Sequence, residues 1–362
     1  MSDPEQTPTA SPWRIAVLRR RFSPTGGAER YLLRLASGLA AQGHQISLYC
    51  EDWTPRENPF HAVRKIDSAD PVAFAKKVMD QPLRDRHDLV FSLERVPGCD
   101  IYRAGDGLHA DWLAHRHRFS PVLGRLRSAL RSKNQLMCRL EAGIFAPGGV
   151  GRVICNSRFV ANQIIERFKF DPAKIDIVHN GVPTQQFAMG DRVLGRKALK
   201  LTDDDYVILL VGAGAERKGH EIARRAVRRL NDPRARLVIV DSPPSVAMPH
   251  VYAAADVFLL PTLYDPFANV TLEALAAGLP VITSAQNGAS EIIRNGENGI
   301  VLPRADDTPR IVTWLKTFSD PAQRAHFRQP AQALARKHDL ARNLKETLAV
   351  FERFGKRGTP SP

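Results

Sequence analysis

The chain has 362 residues, of which 43% are hydrophobic and 25% charged, and its formal net charge is +14. A length of about 150 residues per domain predicts two domains, and the composition excludes a mostly disordered chain. No apolar run reaches the roughly 18 residues of a membrane-spanning helix. Residues 1–12 lack the apolar segment of a secretory signal and are predicted to be a disordered tail. The positive charge favours an anionic partner: nucleic acid, an acidic membrane face or a phosphorylated substrate.

The four cysteines carry no metal-binding or disulfide pattern. Cys50, Cys99, Cys138 and Cys155 form no C-x-x-C pair, and no pair of histidines at ligand spacing accompanies them. The sequence therefore predicts neither a structural zinc nor a disulfide framework, and favours the reducing cytoplasm.

Short apolar runs alternate with helical stretches along both halves of the chain. Runs this short and this apolar are typical of strands buried on both faces of a sheet. The predicted strands are Ile15–Leu18, Gln45–Cys50, Leu89–Leu93, Val153–Cys155 and Ile175–Val178, followed by Val207–Val211, Arg236–Val240, Val257–Leu260, Val281–Thr283 and Gly299–Leu302. Between the first two runs, Ala28–Gln42 has the spacing of an amphipathic helix. The alternation predicts an α/β fold with parallel sheets.

A polar stretch interrupts this alternation between Gly181 and Leu201. Domain boundaries fall in such stretches, where few apolar residues bind the chain to a core. We therefore predict an N-terminal domain at residues 13–182 and a C-terminal domain at residues 200–335. Ligands of parallel sheets bind at the carboxyl ends of the strands.

The first candidate site segment, Ser23–Glu29, follows the first predicted strand and opens a helix. Gly26 and Gly27 have no side chains, so their backbone N–H groups can approach a phosphate closely at the helix N-terminus. The alternative is a tight strand-to-helix turn with no ligand. The segment is neither a G-x-G-x-x-G nor a Walker motif, which weakens a dinucleotide or NTPase interpretation.

The second candidate segment, Gly212–Gly219, follows the strand Val207–Val211. It contains two adjacent cations, Arg217 and Lys218. Arginine can clamp phosphate oxygens bidentately and lysine acts as a point charge, so the pair suits a diphosphate. The alternative is a solvated surface pair.

The third segment, Tyr264–Pro280, is the most informative. It runs from the end of a strand through a loop and a helix to the next strand. The helix N-terminus at Ala268–Val270 can hold a phosphate, while Asp265 and Glu273 can accept hydrogen bonds from sugar hydroxyls. The alternative makes Asp265 the N-terminal cap of the helix and Glu273 a charge on the helix surface.

Taken together, these segments resemble the retaining nucleotide-sugar glycosyltransferases of family 4, which have the GT-B fold. The resemblance covers most of residues 13–305 and is carried by Pro24–Arg30, Asn180–Val182, Arg217–Gly219, Tyr252–Val257 and Asp265–Pro280. Within the family the chain is most similar to the lipopolysaccharide core glucosyltransferases, on Pro97–Asp106 and Gly212–Gly219. The resemblance implies two Rossmann-like parallel-sheet domains that face each other across a cleft. It also implies a last helix, residues 340–356, that returns to the N-terminal domain.

The resemblance also implies a role for each matching donor-site residue. Gly26 and Gly27 would face the donor diphosphate, which Arg217 and Lys218 would hold while they steady the leaving nucleotide. Asp265 matches the first acid of the family's Glu-x7-Glu motif, which contacts the transferred hexose.

Glu273 matches the second acid of that motif, which contacts the ribose. The residues between the two acids that are expected to bind the donor are Phe267, Ala268, Asn269 and Val270. The polar catalytic position of the N-terminal domain is taken by Asp106, with His109 as a nearby alternative.

Two features depart from the family pattern. Asp265 is one methylene shorter than the usual glutamate. Only the ten residues Asp241–His250 separate Val240 from Val251, where the family has a further strand and helix beside the nucleotide base. We predict that Asp241–His250 is a short connecting loop.

A basic segment, His115–Leu140, contains no acidic residue. Its cations are Arg116, Arg118, Arg125, Arg127, Arg131, Lys133 and Arg139, with leucines between them. A basic amphipathic segment is typical of contact with anionic lipid or a phosphorylated acceptor. The alternative is a solvated helix face.

The sequence thus predicts an enzyme that moves a hexose, expected to be glucose from UDP-glucose, to a lipopolysaccharide-core or other lipid-linked glycan with retention of anomeric configuration. Cationic side chains and helix N-termini, rather than a metal cofactor, would stabilise the leaving diphosphate. The enzyme would be cytoplasmic and peripherally bound to the anionic inner membrane. One alternative is a degenerate, non-catalytic protein that binds sugar nucleotides or polyanions. A nucleic-acid-binding protein is favoured by charge alone.

Overall fold

The computed structural model describes residues 12–22, 27–54, 58–119 and 129–358. The strands are β1 Arg14–Leu18, β2 Gln45–Cys50, β3 Ala62–Lys65, β4 Leu89–Ser92, β5 Cys99–Arg103, β6 Val150–Cys155, β7 Ile175–Ile177, β8 Tyr206–Val211, β9 Ala235–Val240, β10 Val257–Leu260, β11 Val281–Ser284 and β12 Ile300–Leu302.

Helices lie between most of these strands. They are α1 Gly27–Ala41, α2 Pro71–Met79, α3 Leu83–Arg86, α4 His109–Phe119, α5 Ala129–Phe145, α6 Arg158–Phe168, α7 Thr184–Ala188, α8 Arg192–Ala198, α9 Ala215–Lys218, α10 His220–Leu230, α11 Met248–Ala254, α12 Asn269–Ala276, α13 Thr308–Thr317, α14 Pro321–Arg336 and α15 Leu340–Gly358. Two short 3-10 segments are Pro172–Lys174 and Gly288–Ile292.

The described strands form two sheets. The seven-stranded sheet has the order β3-β2-β1-β4-β5-β6-β7, and the five-stranded sheet has the order β12-β11-β10-β8-β9. In the first sheet β1 pairs in parallel with β2 and with β4. In the second, β8 pairs in parallel with β9 and with β10. The predicted α/β class with two parallel sheets is confirmed.

The apolar runs became strands because their side chains are buried on both faces. Every residue of β8 and of β10 is buried, as expected for the interior of a parallel sheet covered by helices on both sides. Each predicted strand overlaps an observed strand of the same segment. The sequence analysis therefore located these parts of both sheets.

Two strands were missed. β3 is half exposed and carries two cations, so its sequence lacks the apolar run of a buried strand. β5 is fully buried although it contains Asp100 and Arg103. The Asp100 carboxylate accepts a hydrogen bond from the Val90 backbone N–H at 2.8 Å and pairs with Arg84 at 2.9 Å. Such partners offset the free-energy cost of burying a charge, which hydropathy alone does not reveal.

The chain packs as two compact units. The first comprises Met1–Arg103, Gln135–Val153 and Leu348–Pro362, and the second comprises Ala104–Asn134 and Ile154–Thr347. The five-stranded sheet lies within the second unit, where β8, β10 and α12 supply fully buried side chains to its core. The domain ranges predicted from the sequence remain predictions.

Candidate functional site

The loop after β8 places two cations at the carboxyl end of that strand. It leads into α9, a single turn that ends at Gly219, where the backbone is left-handed with a φ of 76°. A Cβ atom at Gly219 would lie 2.1 Å from the carbonyl oxygen of Pro261, so no other residue fits there without a backbone shift. The Arg217 carbonyl accepts hydrogen bonds from Leu263 N–H at 2.8 Å and from the Thr262 hydroxyl at 2.7 Å. These contacts fix α9 against the loop that follows β10.

Asp265 lies on that loop and pairs with both cations. One carboxylate oxygen, Oδ2, accepts from Lys218 Nζ at 2.7 Å and from Arg217 Nη1 at 3.0 Å. The other, Oδ1, accepts from the Phe267 backbone N–H at 3.2 Å. Burial by itself would raise the pKa of Asp265, but the charges of Lys218 and Arg217 outweigh it and hold that pKa below its usual value. Asp265 is therefore an anion at neutral pH.

Lys218 is a buried cation. Only 7% of the residue is exposed, and its stem passes Gly212, where a Cβ atom would lie 2.8 Å from Lys218 Cε. Gly212 has a φ of 136°, a conformation that also favours glycine. The alternative interpretation, a solvated surface pair, is therefore wrong for Lys218. Arg217 is more accessible to solvent, with 36% of its side chain exposed.

The N-terminus of α12 has no side-chain cap. Its cap residue is Ala268, three positions after Asp265, so the alternative in which Asp265 caps this helix is wrong. Phe267 and Ala268 are buried, whereas Asn269 and Val270 in the first turn are half-buried. Backbone N–H groups of a first turn that lack side-chain partners provide a site for an anion.

Asn287 holds this loop in place and was missed by the sequence analysis. Its side chain is fully buried, and Oδ1 accepts hydrogen bonds from the backbone N–H groups of Ala268 at 3.1 Å and Ala289 at 3.0 Å. Its Nδ2 donates to the hydroxyls of Thr271 at 3.0 Å and Thr283 at 3.1 Å. Asn287 thereby connects β11 to the start of α12. Its position after a predicted strand was the only available sequence signal.

Two further side chains form hydrogen bonds to the loop before α12 and to the first residue of that helix. Ser157, the N-cap of α6, donates from its hydroxyl to the Pro266 carbonyl at 2.7 Å. Asn180 donates from Nδ2 to Asn269 Oδ1 at 2.7 Å. The segment Asn180–Val182, which carried part of the family resemblance, therefore contacts the first residue of α12.

Glu273 is buried on α12 and is 8% exposed, so the surface-charge alternative is wrong. Its Oε2 accepts a hydrogen bond from the Tyr252 hydroxyl at 2.8 Å. Tyr252 is fully buried on α11 and packs edge-on against Phe187 at a ring-centroid distance of 5.4 Å. The sequence analysis quoted Tyr252 within a motif but gave it no role.

Asp106 is exposed and lies in the turn after β5. The next residue, Gly107, has a φ of 65°, and a Cβ there would lie 2.4 Å from Tyr264 Oη and 2.6 Å from Pro266 Cγ. The Leu108 backbone N–H donates to Tyr264 Oη at 3.0 Å. The turn that carries Asp106 therefore packs against residues on both sides of Asp265.

The structure describes only some of the remaining predicted residues. His109 Nε2 lies 3.0 Å from Asn134 Oδ1. Gly27 begins α1 in the first compact unit, and Gly26 lies outside the described residues. In the basic segment, Arg116 pairs with Glu216 at 3.3 Å and Arg139 is exposed. The side chains outside the described part are those of Arg118, Arg125, Arg127, Arg131 and Lys133.

Family models match most of the chain. One described as Glycosyltransferase Family 4 matches residues 25–186, and one described as Glycosyl transferases group 1 matches residues 196–315. The chain is 26% identical to a D-inositol 3-phosphate glycosyltransferase of Mycobacteroides abscessus, an alignment that covers 85% of this chain and 82% of that protein. A protein of the same name from Salinispora tropica is 28% identical over 94% of this chain and 86% of the relative.

Solved structures share the fold. WaaG, a glycosyltransferase involved in lipopolysaccharide biosynthesis, matches with a TM-score of 0.75 and 20% identity over 93% of this chain and 99% of that one. HepE of Anabaena in complex with UDP-glucose matches with a TM-score of 0.71 and 16% identity, over 93% of this chain and 100% of the HepE chain.

The two parallel sheets and these structural matches define a protein of the GT-B fold. The family models and the named relatives then place its activity: the chain is a glycosyltransferase. The predicted fold and the predicted enzyme class are thereby confirmed.

Proposed function

We propose that this glycosyltransferase transfers glucose from UDP-glucose to a hydroxyl of a lipopolysaccharide-core or other lipid-linked glycan, with retention of anomeric configuration. The observation that carries the proposal is the pairing of the buried Lys218 and the partly exposed Arg217 with the buried carboxylate of Asp265, beside the uncapped N-terminus of α12. Two cations and a helix N-terminus form a binding place for a diphosphate, and the adjoining carboxylate can accept hydrogen bonds from a sugar.

The donor would lie along α12. Its diphosphate would contact Lys218, Arg217 and the backbone of the first helical turn, including Asn269 and Val270. Glu273, held by the Tyr252 hydroxyl at 2.8 Å, would accept hydrogen bonds from the ribose. Asp265 would accept from the hexose hydroxyls. Phe267 and Ala268 would shape the loop between sugar and phosphate.

Transfer would break the bond between the anomeric carbon and the diphosphate oxygen and form a bond from the acceptor oxygen to the same face of the sugar. The acceptor proton would pass to the departing phosphate oxygen, so no strong protein base is required. Negative charge grows on the diphosphate as the bond breaks, and the preorganised Lys218 and Arg217 would stabilise it without a metal ion. Asp106 would act beside the sugar.

In this proposal the protein binds the donor in a C-terminal domain, residues 200–335, and the acceptor in an N-terminal domain, residues 13–182. Gly26 and Gly27 would face the donor diphosphate from the N-terminal domain. The helix 340–356 would return to that domain.

A lipid-linked acceptor is supported by charge and by the names of similar proteins. The net charge of +14 attracts the chain to anionic membrane surfaces. No helix in the described ranges is long and apolar enough to cross a bilayer. The WaaG likeness points to lipopolysaccharide, while the curated relatives named for D-inositol 3-phosphate point to a phosphorylated polyol as the competing acceptor class.

The test is donor hydrolysis across a panel of nucleotide sugars, with lipopolysaccharide core, a lipid-linked glycan and inositol phosphate as added acceptors. We expect UDP release from UDP-glucose above all other donors, stimulation by a lipid-linked acceptor, and full activity in EDTA. Preference for another donor would overturn the glucose assignment. Stimulation by inositol phosphate alone would overturn the acceptor assignment, and loss of activity in EDTA, restored by manganese, would overturn the metal-free mechanism.

A further inference from the structure

Strand β9 forms an edge of the five-stranded sheet, yet it has the sequence of an interior strand. It pairs with β8 on one side, and no described strand pairs with it on the other. Its last four residues, Leu237–Val240, are all β-branched or aliphatic and half-buried, whereas every residue of β8 and β10 is buried. Natural sheet edges are usually protected by charge, proline or a bulge, and these four residues offer none.

The register shows which backbone groups of β9 face away from the sheet. The carbonyls of Arg234 and Val240 accept hydrogen bonds from the N–H groups of Tyr206 and Gly212, at 2.9 Å and 2.8 Å, respectively. In a parallel ladder alternate residues bond to one neighbour, so residues 234, 236, 238 and 240 bond to β8. Leu237 and Ile239 therefore present their N–H and C=O groups outward.

We propose that this edge binds the same edge of a second copy of the chain, as an antiparallel pair centred on Val238. In that register Leu237 of one copy lies opposite Ile239 of the other. The two residues exchange N–H to C=O hydrogen bonds on each side of the two-fold axis. Every outward group of both residues is then satisfied, and Val238 faces its own counterpart in a pair without hydrogen bonds.

A second copy fits this edge because the strand is complementary to itself. Antiparallel pairing places the exposed basic end of one strand, Arg234 and Arg236, alongside the exposed acidic end of the other, Asp241. Within the chain Arg234 pairs with Asp232 at 2.9 Å and Arg236 with Asp205 at 3.0 Å, and Asp241 of the second copy would add a third carboxylate beside them. The apolar residues Leu237–Val240 meet one another between these ends. The contact pairs the β9 edges of both copies with each other. No β9 edge is left for a third copy, so assembly stops at a dimer and does not form a filament.

Cysteine cross-linking tests the register. Opposite residues in a pair without hydrogen bonds have Cα atoms about 4.5 Å apart, within the range of a disulfide. Val238→Cys should therefore form a disulfide-linked dimer under mild oxidation, which reductant reverses. The matched control Val240→Cys, at a similarly half-buried position of the same strand, should stay monomeric on a non-reducing gel. A mixture of the Val240→Cys and Arg236→Cys proteins should cross-link, since those positions lie opposite each other.

Sedimentation equilibrium of the parent and of Ile239→Pro provides the second measurement. Proline removes an outward N–H that does not bond to β8, and edge positions of this kind tolerate proline. We expect the parent to reach twice the 40.2 kDa chain mass with rising concentration and the variant to remain at the chain mass, with matching circular dichroism. A parent that stays monomeric at its solubility limit overturns the proposal. Equal cross-linking of Val238→Cys and Val240→Cys, or an Ile239→Pro protein that folds and still dimerises, overturns it as well.

Discussion

At the scale of single residues, the site is organised by one carboxylate with two cations. Asp265 remains ionised in a buried position because Lys218 and Arg217 share its Oδ2 atom. Removing one partner of such a buried pair leaves an uncompensated charge, while a bound diphosphate would supply new negative charge to the cations. The same contacts thus hold the loop together in the chain without a ligand, and under the proposed function they would place both cations beside the donor diphosphate.

Lys218→Ala should lower kcat more than it raises the donor KM. The charge on the leaving diphosphate grows in the transition state, so the cation stabilises that state more than the bound donor. Steady-state kinetics with UDP-glucose measures the split, and Lys316→Ala, in the last turn of α13, is the control. A variant that binds the donor weakly but turns over at the parent rate would mean that Lys218 only captures the anion.

Glu273→Gln should weaken UDP binding more than Tyr252→Phe does. A carboxylate that accepts hydrogen bonds from ribose contributes about 1.5–3 kcal/mol, whereas the Tyr252 hydroxyl bonds to groups of α12, Glu273 Oε2 at 2.8 Å and the Val270 carbonyl at 3.4 Å, and would act on the ribose only through Glu273. Titration calorimetry with UDP gives both affinities, and thermal unfolding identifies any variant that is misfolded. Unchanged UDP affinity in a folded Glu273→Gln protein would exclude the ribose contact.

At the scale of elements, the start of α12 depends on side chains from three other segments. Asn287 bonds to Ala268, Ser157 bonds to the Pro266 carbonyl, and Asn180 bonds to Asn269. None of these partners is close in sequence to the loop it holds. The start of α12 is therefore held in place by the tertiary fold rather than by a local cap.

The connection between α14 and α15 should make the fold sensitive to acid. Burial, followed by the nearby His179, lowers the pKa of His338 to about 4. The ring is thus neutral in the folded chain and protonated in the unfolded chain between about pH 4 and 6.5, where unfolding takes up a proton. The stabilisation from the neutral His338 is therefore complete above about pH 6.5. It decreases as the pH falls below that value and is lost once the pH falls through about 4.

Urea unfolding at about pH 7 and 4.5 measures this loss in the parent, in His338→Gln and in a control, His326→Gln, whose side chain is exposed on α14. The free energy of unfolding should differ less between the two pH values in His338→Gln than in the parent. In the control it should differ as much as in the parent. An unchanged difference in His338→Gln would assign the acid sensitivity to other groups.

The elements also show what the sequence could and could not predict. Runs such as Val207–Val211 and Val257–Leu260 are apolar throughout, because their strands are buried on both faces, and hydropathy alone located them. β5 was missed because Asp100 is buried with partners from the two preceding elements, the Val90 N–H on β4 and Arg84 on α3. In the candidate site, Asp265, Lys218 and Glu273 were predicted from the motifs and the family resemblance, and the structure shows that all three are buried. Tyr252 and Asn287 act through contacts that exist only in the folded chain.

At the scale of the whole molecule, positive charge should direct the protein to anionic membranes. Changing Arg125, Arg127 and Arg131 to Glu should abolish sedimentation with vesicles that contain anionic lipid at low salt, while donor hydrolysis persists. Each cation near such a surface contributes roughly 1 kcal/mol, and salt screens it. The matched control changes Arg224, Arg225 and Arg228, exposed on α10, to Glu. Equal loss in both triple variants would mean that net charge, not the basic segment, directs binding.

The central claim is retaining transfer of glucose from a nucleotide sugar, and the anomeric configuration of the released sugar tests it most directly. Proton NMR can follow UDP-glucose during slow hydrolysis by the enzyme without an acceptor, since the two glucose anomers have separate anomeric signals. The α-anomer of the donor should yield α-glucose first, with β-glucose appearing later through mutarotation, and Lys218→Ala should slow both signals together. Initial release of β-glucose, or no cleavage of UDP-glucose at all, would contradict the account.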